Sequence, residues 1–252
     1  MKLSVFIITL NEEQNLERCL KSVNWADEIV VVDSGSTDRT MEIARRFTDK
    51  VITRRFDDFS SQKAAAMAAA TNDWVLNLDA DEVVSEQLAL QIQKVLSNPP
   101  DFSGYLTPRL TYYLGKPVRH SGWYPDYQLR LVDKRKAHYP KRKVHERIAV
   151  DGKVGQLTGH IEHFGFPTFE EHFRKNADYA QAMAYQMLEE GRHIRYHELL
   201  FRPVLAFANK FFFQMGFRDG LNGLLISIMH SYYVFLKYAW LWDLKRIQRL
   251  RK

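Results

Sequence analysis

Cysteine is almost absent from this chain: Cys19 is the one thiol in 252 residues. A lone thiol makes no internal disulfide and supplies no cysteine-rich zinc site, which fits a protein of a reducing compartment. Glycine-rich phosphate loops are missing too. Neither G-x-G-x-x-G nor a Walker A lysine motif occurs, which excludes the nicotinamide-binding Rossmann fingerprint and the P-loop. No apolar run reaches the roughly 20 residues of a transmembrane helix without interruption; the longest candidate, 221–242, contains Asn222, His230 and Lys237. The amino-terminal run Leu3 to Leu10 is short for a signal sequence, lacks a small-residue cleavage site and passes directly into Asn11, Glu12 and Glu13. It reads as a first strand. No internal repeat or low-complexity segment is apparent.

What is present is ordinary globular composition, 46% hydrophobic and 26% charged, with aromatics at 13%. The length suits one large domain or a domain with an appendage. A formal net charge of +6 and a pI of about 9.3 point to an anionic partner: nucleotide phosphates, nucleic acid or an anionic membrane.

The first half alternates short apolar runs with amphipathic segments. Leu3–Ile8, Glu28–Val32, Val51-Ile52 and Trp74–Leu78 read as strands, and the intervening stretches as helices. One helix carries Leu16, Cys19, Leu20 and Val23, so Cys19 reads as core. Another is capped by Ser60 or Ser61, and a third carries Leu88, Ile92, Val95 and Leu96 on one face. This alternation predicts a mostly parallel sheet with right-handed crossovers. Loops after Thr9, Val32 and Leu78 then gather at one edge, where open α/β sheets bind ligands.

The last of those loops holds Asp79, Asp81 and Glu82. Asp79 and Asp81 are spaced to converge on one hard cation, Mg²⁺ or Mn²⁺, that also binds substrate phosphates. An isolated D-x-D is more often a solvated acidic turn, so its neighbours decide.

Three stretches, Val5–Glu12, Glu28–Asp38 and Leu78–Glu82, taken in order at three strand ends, resemble the signatures of family 2 glycosyltransferases. The resemblance is tight over roughly the first 130 residues. It implies an α/β fold of the GT-A nucleotide-diphospho-sugar-binding type and an inverting transfer. It also implies roles: Thr9, Asn11 and Glu12 along the nucleoside, Asp33 at the base, Asp79 near the ribose or metal, and Asp81 as metal ligand. Lys63 falls loosely where members carry a basic residue beside the nucleotide; its plain alternative is an exposed helix lysine.

From Gly104 to Ile161 the pattern turns to short alternating segments, with Asp151-Gly152 as a hairpin turn. Inverting transfer needs a carboxylate base for the acceptor hydroxyl and positive charge on the departing diphosphate. Asp126, framed by Trp123, Tyr124 and Tyr127, is the favoured base and Glu146 the next. His145 is a candidate third metal ligand. Lys134, Arg135, Lys136, Lys141, Arg142 and Lys143 read either as a solvated loop or as an anion clamp. Gln128-Leu129-Arg130 departs from the Q-x-x-R of some family members, which argues against a processive polymer synthase.

A domain of residues 1–165 is thus followed by a helical region, 166–252. Thr168–Glu171 opens a helix that stops at Gly191. Leu221, Leu225, Ile228, Tyr232, Phe235, Ala239 and Trp242 then form a stripe opposite Gly223, Ser227, His230 and Lys237, ahead of a basic tail. This pattern reads as a helix lying on an anionic membrane, with a packed core as its alternative. Gly216–Gly220 with Gly223 resembles the tail of bacterial lipopolysaccharide core glycosyltransferases of the heptose β-glucosyltransferase type. That implies transfer of glucose from UDP-glucose, a UDP-sugar donor, to the heptose of a lipid-anchored oligosaccharide at the cytoplasmic face of the inner membrane. The competing readings are a glycosyltransferase for another cell-surface glycan and a non-catalytic glycan- or nucleotide-sugar-binding module. Nucleic acid is not the expected partner, because the positive charge lies beside aromatic and apolar segments.

Overall fold

The computed structural model describes residues 1–140, 148–192 and 194–250. The chain divides into two compact units, Met1–Leu110 with Asp126–Phe164 and Thr111–Pro125 with Gly165–Lys252. Residues 111–125 therefore go with the second unit rather than with the first 165 residues. The reason is aromatic packing: the ring of Tyr113 lies edge-on to those of Phe166 and His172.

In the first unit, β1 (Leu3–Thr9), α1 (Leu16–Ser22), β2 (Glu28–Asp33), α2 (Thr40–Arg45), β3 (Val51–Thr53), α3 (Phe59–Ala69) and β4 (Trp74–Asp79) alternate. In chain order there follow β5 (Glu82–Val84), α4 (Glu86–Ser97), β6 (Gly104–Tyr113), β7 (Lys116–Pro117, a residue pair of the second unit), β8 (Asp126–Asp133), β9 (Ala137–His138), β10 (Ala149–Val150), β11 (Val154–Gln156) and β12 (Ile161–Phe166). The sheet order is β3-β2-β1-β4-β8-β6-β12-β5. Its first four strands are parallel, as the βα alternation requires; β8 then pairs antiparallel with β4 and with β6.

Every residue of β1 is buried because the sheet is covered on both faces. Val5 and Ile7 pack with Leu16, Leu20, Leu88 and Ile92 of α1 and α4, whereas Phe6 and Ile8 pack with Ala66 of α3. Cys19 is in the first of these cores. Two local readings change. Asp58, not Ser60 or Ser61, caps α3, accepting from the Ser61 N–H at 2.8 Å. Asp151-Gly152 does not close a hairpin, since β10 pairs with β9 while β11 runs parallel to β6.

In the second unit, α5 (Phe169–Glu189) starts at Thr168, whose hydroxyl accepts from the Glu171 N–H. It is followed by α6 (Tyr196–Ala208), a π-helical turn Asn209–Phe213, a 3-10 turn Gly216–Asp219 and α7 (Gly220–Leu250). Ala184 and Met187 of α5 pack with Val234, Tyr238 and Leu241 of α7. A Cβ on Gly223 would lie 1.8 Å from the Gly216 carbonyl oxygen, so the backbones meet only because that position is glycine. No helix among the described residues is long and apolar enough to cross a membrane.

Candidate active site

The carboxyl ends of β1, β2 and β4 carry the residues singled out by pattern, and hydrogen bonds lock the first two loops together. Asn11 takes a left-handed backbone, φ 54°, which asparagine tolerates. Its side-chain oxygen accepts from the Thr37 N–H at 2.9 Å, and its own N–H donates to the Ser36 hydroxyl at 2.8 Å. The Glu12 N–H donates to the Thr40 hydroxyl at 2.8 Å. Asp33 is buried and internally engaged: one carboxylate oxygen accepts from the Gly35 and Ser36 N–H groups, the other from the Ser36 hydroxyl. Asp33 therefore shapes its loop. The Thr9 hydroxyl is buried without a partner among the described residues.

Beyond β4 the charges are concentrated. Asp79 accepts from Lys63 Nζ at 2.8 Å through one oxygen and from Arg130 Nη2 at 3.2 Å through the other. Arg130 also reaches Glu82, which is fully buried and accepts from the Asp79 N–H at 3.0 Å. Burial opposes ionisation of Asp79, but Lys63 and Arg130 outweigh it and hold the carboxyl far below the usual range. Glu82 goes the other way: burial raises its pKa more than Arg130 lowers it, and Asp79 adds repulsion. The buried Arg130 is held charged against its own desolvation by Glu82 and Asp79. Lys63 is thus no exposed helix lysine but one end of a buried ion network.

Lys63, Asn77, Asp79, Arg109, Gln128 and Arg130 line an open cavity of about 270 Å³. The Asn77 side-chain oxygen, although buried there, has no partner among the described residues. A buried polar atom left open in this way is a mark of a ligand or water site.

Asp81 turns to a different neighbour. Its carboxylate lies 3.2 Å from His163 Nε2, on β12, and that imidazole lowers its pKa against the effect of burial. The strand pairing that sets His163 opposite Glu82 brings it there. The two members of the D-x-D therefore part: Asp79 is paired with two cations, while Asp81 faces an imidazole. Among the described residues no three His, Cys, Asp or Glu side chains gather as a metal-holding group. Joint ligation by Asp79 and Asp81 would set the cation beside Lys63 and Arg130, using the lone pairs those two leave on Asp79.

Asp126 is held by Arg109 Nη2 at 2.7 Å and Gln128 Nε2 at 2.7 Å, and its side chain is 36% exposed. Of the aromatic residues read around it, Tyr127 lines the same cavity as Arg109 and Gln128. Trp123 packs with Tyr113 and Phe166 inside the second unit, 5.8 and 5.4 Å between ring centroids. His145, Glu146, Lys141, Arg142 and Lys143 lie outside the described residues. The described half of the basic cluster is locally spent: Lys134 on the Ala70 carbonyl, Arg135 on Asp133 and Asp73, Lys136 on the Ser103 hydroxyl. It forms no clamp.

Arg109, Arg130 and His163 were the residues that pattern reading passed over or used otherwise. The available signal was a charge set inside strands, as in Leu129-Arg130-Leu131, where only a buried partner makes a guanidinium tolerable.

Comparison with known proteins agrees with this architecture. The model of glycosyl transferase family 2 matches residues 4–151. The lipopolysaccharide core biosynthesis glycosyltransferase LpsC of Rhizobium meliloti is 32% identical over 95% of this chain and 91% of its own length. An uncharacterized glycosyltransferase of Rickettsia typhi is 30% identical over 96% of this chain and 87% of its own. Among solved structures, the mannosyltransferase PcManGT of Pyrobaculum calidifontis, in complex with GDP-Man and Mn²⁺, aligns with a TM-score of 0.56 at 16% identity, covering 96% of this chain and 87% of that one. The fold is α/β of the GT-A type, and the chain is an enzyme that belongs to glycosyl transferase family 2.

Proposed function

We propose that this enzyme transfers a hexose, glucose from UDP-glucose, with inversion to a lipid-linked saccharide, the heptose of a lipopolysaccharide inner core. The observation that carries the reaction type is the cationic cavity at the end of β4, where Lys63, Arg109 and Arg130 converge beside the D-x-D. The acceptor class is supported by LpsC, a lipopolysaccharide core enzyme by name, and by the resemblance of the Gly216–Gly223 segment.

In this reading the acceptor oxygen attacks the anomeric carbon and its proton passes to Asp126. The bond from that carbon to the diphosphate breaks, and the nucleoside diphosphate leaves with the electron pair. Arg109 and Gln128 hold the Asp126 carboxylate in one orientation, which favours a productive proton transfer. Glu146 is the alternative base. Lys63, Arg109 and Arg130 oppose the growing negative charge on the leaving group in a partly dry cavity, where such charge is worth more than in water. The open Asn77 oxygen and Thr9 hydroxyl remain for donor hydroxyls or base edges.

The donor set beside Asp79 fits a divalent cation in part. Asp81 and His163, 3.2 Å apart, offer one oxygen and one nitrogen. When bound, the cation would neutralise the diphosphate of the donor. A nitrogen donor is less suited to Mg²⁺ than to Mn²⁺, so Mn²⁺ is the better match.

The test is release of nucleoside diphosphate from a panel of nucleotide sugars, with and without Mn²⁺, in the presence of truncated lipopolysaccharide cores. UDP-glucose with a heptose-terminated core should give Mn²⁺-stimulated release. Turnover only with another donor refutes the glucose assignment; turnover only with another cell-surface glycan refutes the acceptor.

A further inference from the structure

Helix α7 leaves one apolar row outside its packed core. The row Leu221, Ile228, Phe235 and Trp242, seven residues apart, is exposed, whereas Gly223 and Ser227 are buried and His230 is half-buried. Burial drops the His230 pKa to about 4. Besides Gly223 and Ser227, α7 buries Ile226, Met229, Val234, Tyr238 and Leu241, so it is apolar on its outer row as well as on its packed side, and such an outer row suits an apolar medium rather than water.

The same choice is made more strongly on α6 and the turn after it. Leu200, Phe201, Val204 and Leu205 stand out from α6, and Phe212 and Phe213 from the π-helical turn, Phe213 with 83% of its surface exposed. They form one patch: Leu200 and Val204, and Phe201 and Leu205, are spaced to neighbour on the helix. Phe211 stacks on Phe207 at 5.4 Å and meets Phe212 at 5.2 Å and Phe217 at 6.3 Å.

Charge decides what covers this patch. Residues 192–252 contain eleven Lys and Arg against three acidic residues, while the first 191 residues contain 25 against 27. All of the chain's positive excess therefore lies in the segment with the exposed apolar patch. Its three acids are already engaged, Glu198 by Arg192 and Arg202, Asp219 by His120, and Asp243 by Arg246. A second copy would bring like charges together; an anionic surface would not. Since no described helix crosses a bilayer, the patch must enter from one side.

We infer that the π-helical turn and the outer face of α6 are a wedge that inserts into one leaflet of an anionic phospholipid bilayer, with the α7 row lying alongside. The inference is independent of donor and acceptor, and so is its test. The full-length protein is floated with vesicles of phosphatidylcholine alone or with 30 mol% phosphatidylglycerol (a chosen composition of about that proportion). Wild type should float with the anionic vesicles, weaken in high salt and remain partly bound, because the apolar part survives screening. The double variant Phe212→Ser/Phe213→Ser should lose ~100-fold in partitioning, roughly tenfold per ring. Leu90→Ser, which removes an exposed leucine of the first unit, should float as wild type. Circular dichroism should be unchanged in both variants, since these side chains support no core. Equal flotation of wild type and the double variant overturns the wedge. So does a lipid-free dimer in sedimentation that the double variant makes monomeric, for then the patch is covered by a second copy.

Discussion

Replacing Arg130 by leucine isolates the energetics of the buried ion network. The guanidinium is almost wholly buried between Asp79, at 3.2 Å, and Glu82. Without it Asp79 keeps Lys63, while Glu82 keeps the Asp79 N–H, a distant Arg109 at 3.8 Å and the field of His163. Removing one partner of a buried pair leaves a charge uncompensated and costs about 3–5 kcal/mol. For a chain of this size that lowers Tm by about 6–20 °C. The loss should depend on pH. Glu82 has a raised folded pKa, so its share of stability is present at low pH and lost as pH rises through that value. Asp79 is depressed, so its share is present above the ordinary carboxylate range and lost as pH falls through the depressed value. Without Arg130 both carboxyls titrate higher, and protonation of Glu82 relieves the variant as pH falls. Urea unfolding of wild type and Arg130→Leu, about 3 pH units apart between mildly acid and mildly alkaline buffer, should show the larger deficit on the alkaline side. The double variant Arg130→Leu/Glu82→Leu should regain more than half of it. A deficit below about 1 kcal/mol, the range of an exposed pair, would refute the reasoning, as would one that does not change with pH.

Asp81→Asn and His163→Ala should each weaken Mn²⁺ binding by tenfold or more, about 1.4 kcal/mol, read by the relaxation of water protons; Asp79→Asn should affect it less, because its oxygens serve Lys63 and Arg130. Asp126→Asn should leave donor affinity near wild type and lower kcat by about 10²–10⁴, the usual range for a lost proton acceptor, whereas Glu146→Gln showing that signature instead reverses the assignment. Gly223→Ala should destabilise by about 1–3 kcal/mol or more through overpacking, because its Cβ would fall 1.8 Å from the Gly216 carbonyl oxygen; unchanged urea midpoints would mean that the backbones separate freely.

The sequence by itself determined the order of strands and helices in the first half, because continuous apolar runs and 3.6-residue stripes are local properties of the chain. It also determined where the candidate side chains stand: Asn11, Asp33, Asp79 and Asp81 all fall at or just beyond strand ends. What those side chains do was decided by the tertiary structure. Asp79 and Asp81 look alike in sequence, yet β8 brings Arg130 to the first and β12 brings His163 to the second. No local pattern encodes such pairings, since the partners are about 50 and 80 residues away and arrive through antiparallel strands. Asp126 was legible as a carboxylate beside aromatics, but its partners came from β6 and its own strand. The helix α7 shows the same limit most plainly. Its two faces were visible in the spacing of residues, but spacing cannot say which face turns inward. Packing against α5 settled that, burying Val234, Tyr238 and Leu241 and leaving the row from Leu221 to Trp242 outside.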